Sequence, residues 1–198
     1  GVTINRYCSS SLQTTRMAMH AIRAGEGDVF ISGGVETVSR YGNGLADFMA
    51  GTTNPIFADA LAKSAQRAID SSNWQDPRES SSLPDVYIAM GQTAENVAQL
   101  KGISRGEQDE FAVRSQVLAQ AAIANGFWAK DITPVTLPDG SVISSDDGPR
   151  PNVTLEGVSQ LKPVFRPDGT VTAGNCCALN DGAAALVVMS ESKAKALG

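Results

Sequence analysis

The chain has 198 residues, which is enough for one sizeable hydrophobic core or two small ones. Its apolar share of 42% and aromatic share of 6% are those of an ordinary globular protein. No stretch offers the roughly 20 consecutive apolar residues of a membrane-spanning helix. The formal net charge of −5 argues against a nucleic-acid-binding protein, whose domains are usually basic. We therefore expect a globular protein with no membrane span and no nucleic-acid partner.

The chain contains three cysteines, and Cys176 and Cys177 are adjacent, which is not typical of a disulfide framework. There is no Cys-x-x-Cys and His20 is the only histidine, so we expect no metal site. A cytoplasmic location is predicted, because thiols stay reduced there. Gly1 stands in place of an initiator Met, and residues 1–7 lack the features of a secretory signal. We expect the chain to be part of a longer protein.

The first predicted elements form a strand–helix–strand unit. The β-branched residues 2–4 predict the end of a strand. A helix is predicted over 9–24, because apolar residues from Leu12 to Ile22 recur at helical spacing. The continuous apolar run 29–31 indicates a buried parallel strand. Together these segments predict a βαβ unit with a right-handed crossover.

The middle of the chain is rich in Asn, Ser, Asp and Pro, and its clearest helix start is a capping-box pair, Ser104 and Glu107. A second buried strand is predicted by the apolar run 183–189. The predicted plan is an α/β core whose two ends flank a long helical, loop-rich insertion. Insertions of this kind commonly carry a binding surface. The other predicted elements are helices over 57–70, 93–101 (ended by Gly102), 104–126 and 191–198, and a short strand over 135–137.

Cys8 lies between the first predicted strand and the first predicted helix. The unpaired N–H groups and the positive dipole end of a helix N-terminus favour thiolate over thiol. The same N–H groups can hold a developing oxyanion, so a cysteine here is suited to acyl transfer. The alternative is a core cysteine, because free cysteines are among the most buried residues.

Four ordered blocks of the sequence resemble the thiolase family, the acyl-CoA C-acyltransferases. The first block contains Cys8 and is similar to the family's nucleophile motif, and the others are spread over essentially the whole chain. Four matches in the family's order make the resemblance specific. The blocks are NRYCSSSLQ at 5–13, ISGGVETVS at 31–39, MGQTAENVA at 90–98, and TAGN at 172–175 followed by LNDGAA at 179–184.

The resemblance implies an α/β fold, a thiolase-like mixed sheet with packed helices, interrupted by a helical, loop-rich CoA-binding insertion and truncated relative to the family. It implies part of the N-terminal core at 1–40, the loop domain at 41–170 and a return to the core at 171–198. In the family, a cysteine at the position of Cys8 carries the acyl group during thiolytic cleavage of a 3-ketoacyl-CoA or the reverse Claisen condensation. CoA and acyl-CoA are the implied substrates, with no tightly bound cofactor.

The resemblance also assigns six residues to contact with CoA. Three apolar side chains are expected to line the tunnel for the pantetheine arm, and an arginine to lie near the adenine or the phosphates. Two small side chains are expected to flank the reactive end. Each residue taken singly is equally typical of a core position or a solvated loop, so the assignment depends on the blocks together. In that order, the residues are Met90, Leu161 and Phe165, then Arg150, then Ala173 and Cys177.

Three positions depart from the family's pattern. Ser11 stands where many members have Gly, a change that is harmless inside a helix. The run 176–178 is Cys-Cys-Ala in place of Ala-Ser-Gly, so Cys177, a weaker donor, replaces a serine that hydrogen-bonds CoA. Ala89 stands where some biosynthetic members have a histidine, which favours a degradative 3-ketoacyl-CoA thiolase, as in fatty-acid β-oxidation.

The family's acid and base are a Gly-His-Pro histidine and a Cys-x-Gly cysteine, and neither motif occurs in this chain. His20 is not expected to replace that base. We expect the isolated chain to be inactive and the complete protein to be a homodimer or tetramer. Two alternatives stay open. One is a condensing enzyme that takes acyl groups from a carrier protein, which the blocks at 90–98 and 172–184 disfavour. The other is a catalytically dead paralogue that binds CoA.

Overall fold

The structure of the protein, a computed structural model, describes residues 1–40, 51, 53–70 and 74–198. Contacts divide the chain into two compact units, Gly1–Ala46 with Leu179–Gly198, and Asp47–Ala178. The domain boundaries predicted at 1–40, 41–170 and 171–198 stay predictions. The described helices are α1 (Ser10–Arg23), α2 (Ala58–Ile69), α3 (Met90–Lys101), α4 (Arg105–Ala124), α5 (Leu155–Ser159) and α6 (Glu191–Leu197), and the described strands are β1 (Val29–Glu36), β2 (Val135–Thr136), β3 (Val142–Ile143) and β4 (Gly182–Met189).

Most of the predicted elements are confirmed. Helices α1, α2, α3, α4 and α6 and strands β1, β2 and β4 lie where the sequence predicts them. The capping box at the start of α4 is formed: Ser104 Oγ accepts the Glu107 amide at 3.3 Å, and the Glu107 carboxylate accepts the Ser104 amide at 2.7 Å. Gly102 ends α3 with a φ of 64°, as a left-handed C-cap requires. None of the helices in the described part of the chain combines the length and the apolar composition that a membrane span needs.

The first unit is built on a two-stranded sheet. Strands β1 and β4 are antiparallel, and their register runs from Val29 opposite Met189 to Glu36 opposite Gly182. Helix α1 packs on one face of this sheet, where the buried Ser32 hydroxyl lies 2.8 Å from Thr14 Oγ1. The opposite face is apolar and open. The core of this unit therefore lies between α1 and one side of the sheet.

Two expectations for this unit are wrong. The strand over 29–31 was expected to be parallel and buried, but it pairs antiparallel with β4 and Ile31 is 78% exposed. A continuous apolar run indicates a strand suited to burial on both faces, and it carries no information about the direction of the partner. Residues 2–4 are not part of a strand, because a strand exists only where a partner completes its backbone hydrogen bonds. Residues 1–40 therefore do not form the βαβ unit that the sequence predicts.

The second unit contains α2 to α5 and the β2–β3 hairpin. Helix α5 was not predicted, because it has only five residues in a segment rich in Pro, Gly and Asp. Its available signal is Thr154, whose side chain caps it by accepting the Gly157 amide at 3.1 Å. The interior of this unit is strongly polar. Glu95, Asp109 and Thr172 are buried there among small and aliphatic residues such as Val158.

Candidate active site

Cys8 is an exposed residue in a tight turn that leads directly into α1. The preceding residue, Tyr7, has a φ of 51°, in the left-handed region that residues with side chains seldom adopt. Ser10 closes the turn, because its hydroxyl donates to the Tyr7 carbonyl at 2.7 Å and accepts the Arg6 amide at 2.8 Å. Backbone strain of this kind is often found at active sites. These contacts hold Cys8 at the surface, directly before the helix, where the sequence places it.

The first turn of α1 supplies backbone donors next to Cys8. Its N-cap residue is Ser9, whose side chain makes no capping hydrogen bond. The Gln13 amide donates to the Ser9 carbonyl at 3.0 Å, so the amides of Ser11 and Leu12 precede the repeating helical pattern. Such amides, together with the helix dipole, stabilise negative charge at a helix N-terminus. This arrangement can favour a thiolate and a tetrahedral oxyanion beside it.

His20 lies at the other end of the same helix, in its last turn. A helix rises 1.5 Å per residue, so the His20 backbone is displaced by about 15 Å from Ser10 along the axis. At that separation the imidazole does not reach the Cys8 thiol. The position of His20 therefore fits the expectation that it is not the catalytic base.

Two of the predicted CoA-contact residues meet at the start of α3, in the second unit. Met90 is the first residue of α3 and is 67% exposed. The ring of Phe165 lies so close to Gly91 that a Cβ at this position would overlap it. The Gln92 side chain donates to the Phe165 carbonyl at 2.7 Å and fixes the backbone beneath the ring. Met90 and the ring of Phe165 therefore both lie at the N-terminus of α3, as the prediction of a shared tunnel wall requires.

A buried arginine holds the segment that carries Phe165. Arg166 donates from Nε to Gln92 Oε1 at 2.9 Å and from Nη2 to Asn96 Oδ1. Asn96 Oδ1 also accepts Arg67 Nη1 at 2.9 Å. Burial lowers the pKa of Arg166, and burial together with the nearby charge of Arg166 lowers the pKa of Arg67. The buried side of α3 is thus a polar contact surface for two guanidinium groups.

Glu95 binds the next part of the same segment. Its carboxylate accepts the Thr170 amide at 2.9 Å, the Thr170 hydroxyl at 3.0 Å and the Val171 amide at 2.8 Å. Helix α3 thus buries polar residues and exposes apolar residues such as Val97, which is the reverse of the usual arrangement. Sequence reasoning did not assign a role to this polar side. The signal for it is the spacing of Gln92, Glu95 and Asn96, which places all three on one side of a helix.

Leu161 and Ala173 lie on two neighbouring segments of the second unit. A Cβ at Gly174 would lie 2.6 Å from Leu161 Cδ1, so the loop containing Ala173 packs directly against Leu161. Ala173 and Cys177 are exposed, and Cys177 is a free thiol. The structure therefore brings Leu161 to the loop of Ala173.

Arg150 is placed differently from the other predicted contacts. It is exposed, and its amide donates to Gln116 Oε1, on α4, at 2.9 Å. Two cavities of the second unit have volumes of about 310 and 430 Å³, the first beside Glu95 and Thr170 and the second beside Arg67 and Trp74. Neither is lined by any of the six predicted CoA contacts.

Comparison with known proteins places these features in a family. The chain matches the N-terminal domain of thiolases over residues 1–192. It is 42% identical over 198 residues to the beta-ketoadipyl-CoA thiolase of Acinetobacter baylyi, a match that covers 96% of this chain and 46% of that protein. Its structure is similar to the dimeric peroxisomal thiolase of Saccharomyces cerevisiae, with a TM-score of 0.76 and 34% identity over 99% of this chain and 45% of that one. The human mitochondrial 3-ketoacyl-CoA thiolase in complex with CoA gives a TM-score of 0.66 and 31% identity, over 98% of this chain and 46% of that one.

The chain belongs to the thiolase family. The family predicted from the four sequence blocks is confirmed, and so is the α/β thiolase fold. The chain spans about half the length of the curated relatives it matches. The strained turn at Cys8 and the residues Met90, Leu161, Phe165 and Ala173 therefore all lie in the part of the chain that matches the thiolase N-terminal domain.

Proposed function

We propose that the complete protein is an acyl-CoA C-acyltransferase in which Cys8 carries the acyl group. The observation that carries this proposal is the position of Cys8, exposed in a strained turn directly before α1. The names of the relatives, which include a beta-ketoadipyl-CoA thiolase and a 3-ketoacyl-CoA thiolase, support the same chemistry.

In the proposed thiolysis, the Cys8 thiolate adds to the 3-keto carbon of a 3-ketoacyl-CoA, and the amides at the start of α1 stabilise the negative oxygen. The carbonyl re-forms as the C2–C3 bond breaks, and the departing acetyl-CoA enolate takes a proton. The acyl group is then a thioester on Cys8. The thiol of free CoA gives up its proton and attacks this thioester, which releases a shortened acyl-CoA and the Cys8 thiolate. By resemblance to the family, the histidine and second cysteine that move these protons lie outside this sequence.

CoA is proposed to bind to the loop domain, at 41–170 and the adjoining 171–177. Exposed apolar side chains, Met90 and Leu161 among them, are suited to the pantetheine arm. The human relative solved in complex with CoA supports a CoA-binding role. We further propose a degradative 3-ketoacyl-CoA substrate and a homodimeric or tetrameric complete protein. The yeast relative is dimeric. The cytoplasmic location stays a prediction from the cysteine pattern.

Trapping of the acyl-enzyme tests the proposal. The full-length protein is incubated with acetyl-CoA, and its intact mass is measured, followed by peptide mapping. We expect one acetyl group per chain, located on Cys8. It should be absent from Cys8→Ser and retained in Cys176→Ser, which removes an exposed thiol that is not among the predicted CoA contacts. Acetylation of neither cysteine, in protein that still binds CoA, would overturn the proposal and favour a catalytically dead paralogue. Acylation from a carrier protein but not from CoA would favour the related condensing enzyme.

A further inference from the structure

The first turn of α4 carries an arginine that binds the end of α5. Arg105 donates from Nη2 to the Val158 carbonyl at 3.0 Å and to the Leu161 carbonyl at 2.9 Å. The Val158 carbonyl also accepts the Leu161 amide at 3.1 Å, so the guanidinium is a second, charged donor at this helix end and holds both the helix end and the residue that follows. Arg105 therefore fixes the backbone position of Leu161.

Arg105 is paired with a carboxylate one turn further along α4. Asp109 is only 1% exposed, and its Oδ2 accepts Arg105 Nε at 2.7 Å. Its other oxygen, Oδ1, accepts Asn175 Nδ2 at 2.9 Å. A buried carboxylate is unfavourable unless both oxygens are satisfied. Here Arg105, which binds the end of α5, satisfies one oxygen, and Asn175, from the loop that follows Thr172, satisfies the other.

Asn175 closes the loop in which Ala173 lies. Its Oδ1 accepts the Thr172 amide at 2.8 Å, and its Nδ2 also donates to the Thr170 carbonyl at 2.9 Å. Thr172 is completely buried, whereas Ala173 is exposed. Hydrogen bonds therefore hold the buried side of the loop in place, and Ala173 lies on its exposed side.

The two fastened segments also touch each other. Gly174 packs against α5, where a Cβ would lie 2.6 Å from Leu161 Cδ1 and 3.0 Å from Val158 Cγ1. Asp109 is buried and the Arg105 side chain is 24% exposed, and such an ion pair adds little net stability compared with apolar residues of the same size, because removing charge from water is costly. What it does supply is a fixed geometry, since each partner has directional hydrogen bonds.

We propose that the Arg105–Asp109 ion pair is a positioning element of the CoA surface, which holds Leu161 and the Ala173 loop at a fixed spacing. The inference rests on the proposed CoA-binding function. Neither charge needs to touch CoA, so both are positioning residues and not catalytic ones. Disruption of the ion pair separates Leu161 from the Ala173 loop and so weakens CoA binding. The Cys8 turn, in the first unit, is unchanged.

The test uses the full-length protein and two variants. Asp109→Asn keeps the side-chain volume but leaves a single oxygen to accept from both Arg105 and Asn175. Arg105→Lys keeps Asp109 paired, which protects folding, but an ammonium cannot bind the carboxylate and both carbonyls in the same geometry. The control is Glu191→Gln, which breaks an exposed ion pair of the same i, i+4 spacing with Lys195.

Three measurements are made: the Kd for CoA by calorimetry, KM for CoA together with kcat, and amide hydrogen exchange over 158–161 and 172–176. For Asp109→Asn we expect Kd and KM to rise about tenfold or more, with a smaller change in kcat and faster exchange in both segments. Arg105→Lys should raise Kd less and speed exchange mainly over 158–161. Glu191→Gln should match the wild type in all three.

Two outcomes overturn the inference alone. One is an Asp109→Asn protein that is less stable but binds CoA as tightly as the wild type, which would make the pair merely structural. The other is unchanged exchange in both segments. A wild-type protein that does not bind CoA would overturn the proposed function and this inference with it, and that result is obtained before any variant is compared.

Discussion

The two units of the molecule are stabilised internally by different kinds of contact. In the first unit, the sheet of β1 and β4 is covered by α1 on one face, and its other face exposes Ile31, Val35 and Val187. In the second unit, charged and amide side chains fill the interior, and α3 turns its apolar residues outward. The comparison teaches that apolar residues are not the main internal contacts of the unit proposed to bind CoA. Its surface geometry depends on directional polar bonds, whereas the sheet depends on burial.

In the 198-residue chain, the largest effect is expected from Glu95→Ala. This change leaves the buried Val171 amide and the half-buried Thr170 amide without their acceptor, and each unsatisfied buried group costs about 1–3 kcal/mol. We expect the free energy of unfolding, measured in urea, to fall by about 3 kcal/mol. The control is Val97→Ala in the same helix, which removes an exposed apolar side chain and should change stability by about 0.5 kcal/mol or less. Equal effects of the two changes would contradict the polar-interior description.

A second pair of changes tests the sheet. Phe30 and Ile31 are neighbours in β1, and because strand side chains alternate, Phe30 shares the α1-facing side with Ser32 while Ile31 lies on the open face. We expect Phe30→Ala to lower the free energy of unfolding of the 198-residue chain by about 1–2 kcal/mol. Ile31→Ala should lower it by about 0.5 kcal/mol.

The same pair sharpens the comparison when it is measured in the full-length protein. If a further segment covers the open face there, Ile31→Ala should become a cavity-forming change that costs about 2–4 kcal/mol. A cost for Ile31→Ala that already equals that of Phe30→Ala in the 198-residue chain would contradict the exposed face.

Local patterns were sufficient to predict much of the fold. The helix that follows Cys8, the capping box at Ser104 and the stop at Gly102 each depend on a few adjacent residues, so each could be predicted from them. The family could be predicted because four blocks occur in order. Strand direction could not, since β1 pairs with β4 from the far end of the chain, and no local pattern encodes that pairing.

The supporting residues of the candidate site were harder to predict than the site itself. Met90 and Phe165 were assigned through the family resemblance, but Arg166 and Asp109 were not, because charged residues are usually exposed. Their burial depends on partners far away in the chain, such as Gln92 for Arg166 and Asn175 for Asp109. The spacing of a polar stripe on α3 was visible in the sequence. Which side of that helix is buried was decided only by the packing of the segment around Arg166.

A smaller effect than that of Glu95→Ala is expected from the exposed capping box at the start of α4, and it shows whether polarity or burial supports the second unit. The Ser104 amide, and then its hydroxyl, hold the pKa of Glu107 below its ordinary value of 4.5. A carboxyl whose pKa is lower in the folded state stabilises the fold above its unfolded pKa, and this contribution disappears as the pH falls through the folded value. Ser104→Ala should lower the free energy of unfolding by about 1 kcal/mol at neutral pH. It should also flatten the decline of stability in the acid range, measured by urea unfolding at a series of pH values, because Glu107 then has a pKa closer to that of the unfolded chain.

The control is Ser115→Ala, an exposed serine in the middle of the same helix, whose pH profile should follow the wild type. If Ser104→Ala costs as much as Glu95→Ala, polar contacts at the surface are as strong as those in the interior, and burial is not what distinguishes the second unit.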